Sequence, residues 1–437
     1  MSRFVRLVTA AALAAAVPGA CGSRATPTHD ALPALLGTSQ RESTSRQALG
    51  ESIAAMRERL AIVAEPDAAI RLADALLRQT RVAGNAGLAR EAESALRAVL
   101  DREPEHYGAC RMLAAVLVSQ HRFAEARAQA ERCRQWRPDD AWLFGVLGDA
   151  HLELGDYDAA FDAFDAMMAL RPDEAAYARA SYARELQGDL DGALRLMQMA
   201  LSATPPADPE ALAWHHVQIG HLELTLGRIR DAERSFARAG HAFPDHPMVI
   251  EGLTRVLVAR GELRAALDTL APHVSAMPTP DGLALEGDLL MALGRGDEAE
   301  RSYRLAEAAW TSDAPEPSRL ARFLAGRGRR LDDAIDLARR EATVRNDIFT
   351  LDALAWALFR SGRVAEAAAA IEQALRLGTR DRIIRYHAAA IDVARGERRT
   401  ARIDLDLALS GSPNFDLVAA PEARLLLQGL ADVEDDR

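Results

Sequence analysis

Histidines, an acidic run and a glycine-rich turn are the residue types of this sequence that could do chemistry. His215, His216 and His221 are spaced i, i+1 and i+6, whereas two metal ligands on one helix face stand about four residues apart. The aspartates between positions 156 and 165 lack the glycine and terminal glutamate of a calcium loop. We therefore expect no metal site and no cofactor.

Nucleotide and nucleophilic chemistry lack their usual residues. The segment from Gly294 to Ala299 has the letters of a dinucleotide-binding turn, but no strand-like alternation precedes it. The chain contains no lysine, and all 53 residues counted as lysine or arginine are arginine. Phosphate-loop binding, Schiff-base chemistry and kinase-type transfer each require a lysine. No serine-hydrolase elbow or metalloprotease motif occurs. We expect no catalytic residues.

Charge and length limit the function further. The net charge of -11 disfavours a nucleic-acid partner, which needs a basic face to neutralise phosphates. A chain of 437 residues should divide into domains or repeats.

The first 20 residues have the pattern of an export signal. Arg3 and Arg6 precede an apolar run from Leu7 to Val17, which is too short to span a bilayer. The small residues before Cys21 resemble the bacterial lipoprotein processing box, which implies lipidation of that cysteine. Pro18 departs from the family pattern, so cleavage and release stays an alternative.

The lipoprotein resemblance also implies a location. Gly22 follows the cysteine in place of the aspartate associated with inner-membrane retention. We therefore expect an exported periplasmic protein, lipid-anchored to the outer membrane, with the anchor as its only membrane contact. Residues 21–45 are rich in Ser, Thr, Pro and Gly and are expected to form a flexible tether.

From about residue 68 the chain repeats itself, with successive turn positions 33 to 39 residues apart. The marker is a glycine followed five residues later by an alanine: Gly87/Ala92, Gly155/Ala160, Gly188/Ala193, Gly227/Ala232, Gly261/Ala266, Gly294/Ala299, Gly362/Ala367 and Gly396/Ala401. His121/Ala126 and Gly328/Ala334 fill the two gaps. The glycine suits a helix end, and the alanine allows two helices to approach closely.

These units resemble the tetratricopeptide repeat, a 34-residue antiparallel helix pair. The third unit matches best, through Leu147, Gly148, Gly155, Tyr157, Ala160, Phe164 and Pro172. The resemblance implies an all-α, right-handed superhelical solenoid of about ten units over residues 68–413. Residues 46–67 are expected to form an N-terminal capping helix, and residues 414–437 a C-terminal cap with a loose acidic tail.

Superhelices of this family line a concave groove with set positions of each first helix. Projected onto this chain, those positions predict the following groove residues: Trp142, Tyr182, Trp214, His221, Met248, Glu251, Arg255, Phe349, Trp356, Arg360 and Tyr386. Three of the five tryptophans are among them, and such rings supply contact area in recognition sites. Packing against neighbouring helices is the alternative for these rings.

Cys110 and Cys133 fall on the two helices of the second unit. An antiparallel pair could bring them within disulfide reach in an oxidising compartment, and two buried free thiols are the alternative.

The expected function is a non-catalytic interaction or scaffold protein of the bacterial envelope, whose groove receives a peptide or protein partner. A self-associating spacer, or an accessory subunit of an envelope assembly or secretion complex, is the alternative. An enzyme ranks third, because the flanks of the repeats are too short for a catalytic domain. The sequence does not predict the oligomeric state.

Overall fold

A computed structural model describes residues 44–62, 65–83, 86–244, 246–311 and 317–435. Within these residues the chain forms 22 helices and no strand. The predicted export signal, Cys21 and the tether up to residue 43 lie outside the described residues. No helix of the described part combines the length and apolarity needed to cross a membrane.

Twenty of the helices form ten antiparallel pairs, which we call units 1 to 10. Units 1 to 5 are α2 (Pro66–Ala83) with α3 (Ala86–Arg102), α4 (Tyr107–Ser119) with α5 (Phe123–Arg134), α6 (Ala141–Glu153) with α7 (Tyr157–Leu170), α8 (Glu174–Leu186) with α9 (Leu190–Ala203), and α10 (Pro209–Thr225) with α11 (Ile229–Ala242). Units 6 to 10 are α12 (Pro247–Arg260) with α13 (Leu263–Ala276), α14 (Pro280–Ala292) with α15 (Gly296–Trp310), α16 (Pro317–Gly326) with α17 (Leu331–Ala342), α18 (Ile348–Arg360) with α19 (Val364–Ala374), and α20 (Arg382–Arg395) with α21 (Arg398–Leu409).

One further helix flanks the units on each side. These are α1 (Thr44–Ile62) and α22 (Ala419–Asp435), which packs on α21 and α20. The predicted all-α solenoid of ten units is confirmed.

The repeat marker has a physical role in each unit. The turn glycines of units 3 to 10 have φ between 62° and 83°, and His121 takes the same left-handed conformation in unit 2. The marker alanines of these units, such as Ala160 and Ala232, are fully buried between helices. Glycines of the first helices also admit aromatic rings, because a Cβ at Gly220 would lie 2.8 Å from the ring of Phe236.

Three local predictions need correction. Gly87 is not the turn residue of unit 1, because it lies inside α3, which begins at Ala86. Glu434 and Asp435 belong to α22 and not to a loose acidic tail, because the helix continues to Asp435. The solenoid begins at Pro66, two residues before the predicted boundary. Of the additional residues 207–210, the last two begin α10, which is 17 residues long where neighbouring first helices have 13 or 14.

The solenoid coils tightly enough to contact itself. The turns of units 3, 4 and 5 lie against the loops that follow units 8, 9 and 10, so the coil returns on itself after five units. We call this contact the seam; it joins Gly155, Gly188 and Gly227 to the loops 343–347, 375–381 and 410–418. A Cβ at Gly188 would lie 2.7 Å from the carbonyl oxygen of Gly378.

Hydrogen bonds and an ion pair cross the seam at unit 3. The backbone N–H of Asn346 donates to the carbonyl oxygen of Glu153 at 3.1 Å. The N–H of Ile348 donates to the hydroxyl of Tyr157 at 2.9 Å. The guanidinium of Arg345 lies 2.6 Å from the Glu153 carboxylate. The seam is therefore a built contact, with polar groups paired across it.

The seam also joins the apolar core of unit 3 to that of units 9 and 10. Leu152, Tyr157 and Phe164 of unit 3 belong to the same buried cluster as Ile348 and Ile384 of units 9 and 10. At unit 5, Arg382 donates to the carbonyl oxygens of Thr225 at 2.5 Å and of Ser412 at 3.0 Å. Units that are far apart in sequence thus share one core.

Candidate ligand chamber inside the coil

Two cavities lie on the inner face of the coil, and together we call them the chamber. Cavity A has a volume of about 340 Å³ and cavity B of about 360 Å³. They share Arg255, Asp381, Ile383 and Phe415. Their walls come mainly from the first helices of units 4 to 10, and Leu190 and Trp310 of two second helices also line them. The segment after Pro413 completes the wall.

Aromatic rings form one wall of cavity A. Trp356 stacks on His387 with ring centroids 3.9 Å apart and an interplanar angle of 12°. A hydrogen bond holds the ring of His387, since its Nδ1 lies 2.8 Å from Oδ1 of the buried Asp352. The hydroxyl of Tyr386 donates to Glu422 of α22. The rings are therefore held in place before any ligand arrives.

Ion pairs also line cavity A. Asp288 accepts hydrogen bonds from Arg327 and from the hydroxyl of Tyr303, the latter at 2.8 Å. Arg319 donates to Asp281 at 2.5 Å. Burial raises the pKa of Asp288 above its ordinary value, although Arg327 opposes this.

Cavity B combines rings with an unpaired carboxyl. Tyr182, Phe349 and Phe415 line it. Within the described residues, the Glu185 carboxyl has no hydrogen bond and no ion pair. Burial, together with the charge of Asp381, raises the pKa of Glu185 to about 7. This carboxyl is thus only partly ionised at neutral pH.

The histidine of cavity B is neutral at neutral pH. Burial, helped by the charge of Arg255, lowers the pKa of His221 to about 4. The ring packs edge-on against Phe236, with centroids 5.2 Å apart. His221 therefore presents an uncharged ring to the cavity.

Six of the predicted groove residues line the chamber, and five lie elsewhere. Those that line it are Tyr182, His221, Arg255, Phe349, Trp356 and Tyr386. Those outside it are Trp142, Trp214, Met248, Glu251 and Arg360.

Four of the residues outside the chamber have partners within the protein. Arg111 lies over the ring of Trp142 at 4.3 Å, and Trp214 packs edge-on against His215 at 5.0 Å. Glu251 accepts from Thr279 at 2.7 Å. Arg360 donates to the carbonyl oxygen of Gly326 at 3.2 Å. Trp142 and Trp214 are also partly buried against apolar clusters of the solenoid, and their role in recognition stays a prediction.

Met248 lies partly buried against the cluster that contains Phe236 and Val249. Its side chain therefore contributes to packing between units 5 and 6.

Three chamber residues carry no repeat signal. Asp381 caps α20, where it accepts from the N–H of Ile384 at 3.0 Å, so only a capping pattern marks it. Phe415 follows the last repeat. Arg322 lies in unit 8, whose first helix is the shortest and whose sequence matches the family pattern poorly.

Outside the chamber, Cys110 and Cys133 are joined as a disulfide, with Cα atoms 6.0 Å apart. Both are fully buried between α4 and α5. In the part of the chain that the structure describes, no three His, Cys, Asp or Glu side chains are grouped so as to hold a metal ion.

Part of the repeat region matches a known family and a known protein. Residues 86–142 and 117–185 match the tetratricopeptide repeat family. A 123-residue stretch is 35% identical to tetratricopeptide repeat protein 36 of the mouse. That stretch is 26% of this chain and 66% of the mouse protein, so the chain spans just under two thirds of that relative.

Solved structures show a similar architecture. The human IFIT1 dimer with PPP-AAAA is similar with a TM-score of 0.50 and 18% identity, over 72% of this chain and 73% of that one. Yeast Tom70 is similar over 90% of this chain and 94% of its own, with a TM-score of 0.38 and 12% identity. The ten helix pairs and the family match at residues 86–185 together identify the fold as a right-handed solenoid of tetratricopeptide type.

Proposed function

We propose that this protein is a non-catalytic interaction protein whose chamber receives a short extended segment of a peptide or protein partner. The observation that carries the proposal is the pair of joined cavities on the inner face of the coil. Volumes of about 300 Å³ and more, lined by rings and a few polar groups, are typical of ligand sites.

The size of the cavities favours an extended segment as the ligand. A helix with its side chains is about 10 Å across, which exceeds what two joined cavities of about 340 and 360 Å³ can enclose. Tyr182, Phe349 and Trp356 supply rigid aromatic contact area, which costs little conformational entropy on binding. Side chains of the partner would enter the cavities while its backbone follows the inner face.

A pool of random synthetic octapeptides tests this proposal. The purified protein is incubated with the pool, and mass spectrometry identifies the retained peptides. We expect retention of a defined subset, lost when Tyr182→Ala and Phe349→Ala are combined. Leu305→Ala is the matched control, because Leu305 is an exposed apolar residue outside the chamber. Failure to retain any subset, or equal retention by the double variant, would overturn the proposal.

We also propose that the protein is exported and lipid-anchored through Cys21, at the periplasmic face of the outer membrane. The disulfide between Cys110 and Cys133 supports an oxidising compartment. Metabolic labelling of the bacterial host with a tagged fatty acid should label the wild type and not Cys21→Ser. Label on both proteins, or on neither, would contradict the anchor.

A further inference from the structure

Two carboxyl groups of cavity B have free oxygens. Glu185 of α8 forms no hydrogen bond and no ion pair with a described residue. Asp381, which precedes α20, accepts through Oδ1 from the N–H of Ile384, and its Oδ2 has no partner among the described residues. None of these free oxygens is a buried atom. A ligand in the cavity can therefore reach acceptors on two different units.

The arginines of cavity B are not paired with these carboxyls. Arg382 donates to the carbonyl oxygens of Thr225 at 2.5 Å and of Ser412 at 3.0 Å. Arg255 forms no ion pair with a described residue, and its charge acts on His221, where it helps burial to lower the pKa. The two free carboxyls thus have no cation bound to them in the part of the chain that the structure describes.

Aromatic rings accompany the carboxyls. Tyr182, Phe349 and Phe415 line cavity B. Arg382 already lies 5.9 Å from the ring centroid of Phe415, whereas no described arginine lies over Tyr182 or Phe349. The face of an aromatic ring attracts a cation within about 6 Å of its centroid, and more strongly where water is excluded. Two open rings beside two free carboxyls therefore favour a cationic ligand.

A primary ammonium group matches these walls best. Its three N–H donors point in separate directions, so they can reach the carboxyls of both units together. A guanidinium pairs in plane with one carboxylate, and the cavity already contains two arginines. A metal ion fits less well because, over the described ranges, no three His, Cys, Asp or Glu side chains are grouped so as to hold one.

We propose that cavity B binds a primary ammonium group of the partner peptide, held by Glu185 and Asp381 against the rings of Tyr182 and Phe349. This inference rests on the proposed peptide-binding function and names the chemistry that the chamber selects. The ammonium group comes from a lysine side chain or from the amino terminus of the peptide. The net charge of -11 favours the approach of such a cationic segment.

The octapeptide pool, prepared once with free and once with acetylated amino termini, tests the inference. We expect the retained peptides to be enriched in Lys if the side chain binds, or to be retained only with free amino termini if the terminus binds. Glu185→Gln and Asp381→Asn should each lower retention of these peptides about tenfold, because each removes a charge-assisted hydrogen bond. Asn still caps α20. Phe349→Leu should lower retention about fivefold through loss of the cation–π contact.

Retention should also rise with pH. Burial, together with the charge of Asp381, raises the pKa of Glu185 to about 7, so its ionised fraction rises about fivefold between pH 6 and pH 7. A lysine side chain and most amino termini stay protonated over this range. We therefore expect about fivefold stronger retention at pH 7, and Glu185→Gln should remove most of that difference.

The other side chains that face Glu185 in cavity B keep their charge between pH 6 and pH 7. His221 is neutral with a pKa of about 4, Arg255 is a cation, and burial lowers the pKa of Arg382 only to about 10. Burial raises the pKa of Tyr182 well above its ordinary value.

Two further carboxyls could respond to pH. Burial raises the pKa of Asp381, so Asp381→Asn measures its share. Three more ionisable groups act on that pKa: Asp352, Arg322 and His387. Glu153 has a pKa of about 7 and its charge acts on Tyr182, but it is present in the wild type and in Glu185→Gln alike. The pH difference that Glu185→Gln removes therefore belongs to Glu185.

Glu372→Gln is the matched control, since Glu372 lies exposed on α19, and circular dichroism checks that every variant folds. Chamber-dependent retention with no preference for Lys or for free amino termini would overturn this inference and leave the proposed function standing. The same holds if either carboxyl variant retains peptides like the wild type, or if the wild type retains them equally at both pH values. Absence of any retention would remove the proposed function itself.

Discussion

Two sets of turns in this solenoid have the same glycine and the same backbone conformation but different surroundings. Gly227 of unit 5 has φ 74°, and Gly396 of unit 10 has φ 81°. A Cβ at Gly227 would lie 2.6 Å from the Cα of Gly411 across the seam, whereas one at Gly396 would meet no atom of the described chain within 4 Å. The glycine forms a turn in both places, and in unit 5 it also makes room for the next coil.

The comparison bears on how the protein is stabilised. In most solenoids each repeat contacts only its neighbours, and stability is nearly a sum of local terms. Here the turns of units 3 to 5 also contact units 8 to 10, so changes at the seam should affect distant units. Changes at the solvent-facing turns should remain local.

Replacing the seam glycine should have the largest effect. We expect Gly227→Ala to lower the free energy of unfolding by about 4 kcal/mol, because alanine is strained at positive φ and its Cβ also overlaps the backbone of Gly411. Gly396→Ala is the matched control and should cost about 1–2 kcal/mol from the positive φ alone. Urea unfolding monitored by circular dichroism gives both values. Equal losses would show that the seam contributes nothing at unit 5.

Breaking the disulfide should have the next largest effect, and that effect should be confined to the N-terminal units. The bond closes a chain segment of 23 residues, for which the chain-entropy argument gives about 3 kcal/mol. We therefore expect dithiothreitol to lower the melting temperature of the wild type. The double variant Cys110→Ala/Cys133→Ala should melt at a low temperature that dithiothreitol does not change.

Hydrogen exchange at the seam distinguishes the effect of reducing the disulfide from the effect of Gly227→Ala. The amides of Asn346 and Ile348 donate across the seam to unit 3. Their protection should stay nearly unchanged on reduction and fall in Gly227→Ala. A strong loss of their protection on reduction would mean that the second unit and the seam unfold together.

Removing the ion pair of the seam should cost about 2 kcal/mol. Arg345 pairs with Glu153 at 2.6 Å and with Asp347 at 3.0 Å, in a largely buried position. Arg345→Met leaves these carboxylates buried without their cation, which is the costly way to break a buried pair. Arg339→Met removes an exposed pair with Glu366 and should change stability by at most about 0.5 kcal/mol. Urea unfolding measures the loss of stability in both variants. A similarly small loss of unfolding free energy in the two would contradict the expected role of Arg345.

The smallest effect concerns a carboxyl that has no arginine partner. Burial raises the pKa of both Glu153 and Glu185 to about 7, but among the residues that the structure describes only Glu153 has an ion-pair partner. Because the folded pKa of Glu185 lies above its unfolded value, its contribution to stability is full below about pH 4 and is lost as the pH rises through 7. Glu185→Gln cannot ionise, so it should gain on the order of 1 kcal/mol over the wild type between pH 5 and pH 8.

The exposed Glu372 serves as the control for this pH dependence. Unfolding titrations of Glu372→Gln at both pH values should follow the wild type. If the wild type and Glu185→Gln have the same pH dependence, the carboxyl is not buried as the structure has it.

The sequence predicts the local structure well because its signals are local. The glycine at a turn and the alanine five residues later depend on φ and on contact within one helix pair, so Gly155 with Ala160 suffices to define unit 3. The seam was not predicted, because it depends on small rotations that accumulate over five units. Nothing about Arg345 or Asn346 marks them as partners of Glu153.

The candidate site was predicted in part for the same reason. Among the predicted positions on first helices, Tyr182, Phe349 and Trp356 line the cavities, since inward orientation is a property of each unit. The chamber lies where the coil closes over units 4 to 10, a property of the whole coil, and Trp142 of unit 3 lies outside it. Phe415 follows the last repeat and could not be reached by repeat comparison.

The seam also determines an order of events during synthesis. Tyr157 and Ile348, which form a hydrogen bond across it, are 191 residues apart. At roughly 5–20 residues per second, the ribosome needs roughly 10–40 s to add that length. During this interval Glu153 and Tyr157 lack their partners across the seam. The chamber is absent until units 8 to 10 arrive, so a nascent chain has no binding site to offer before its own C-terminal part is made.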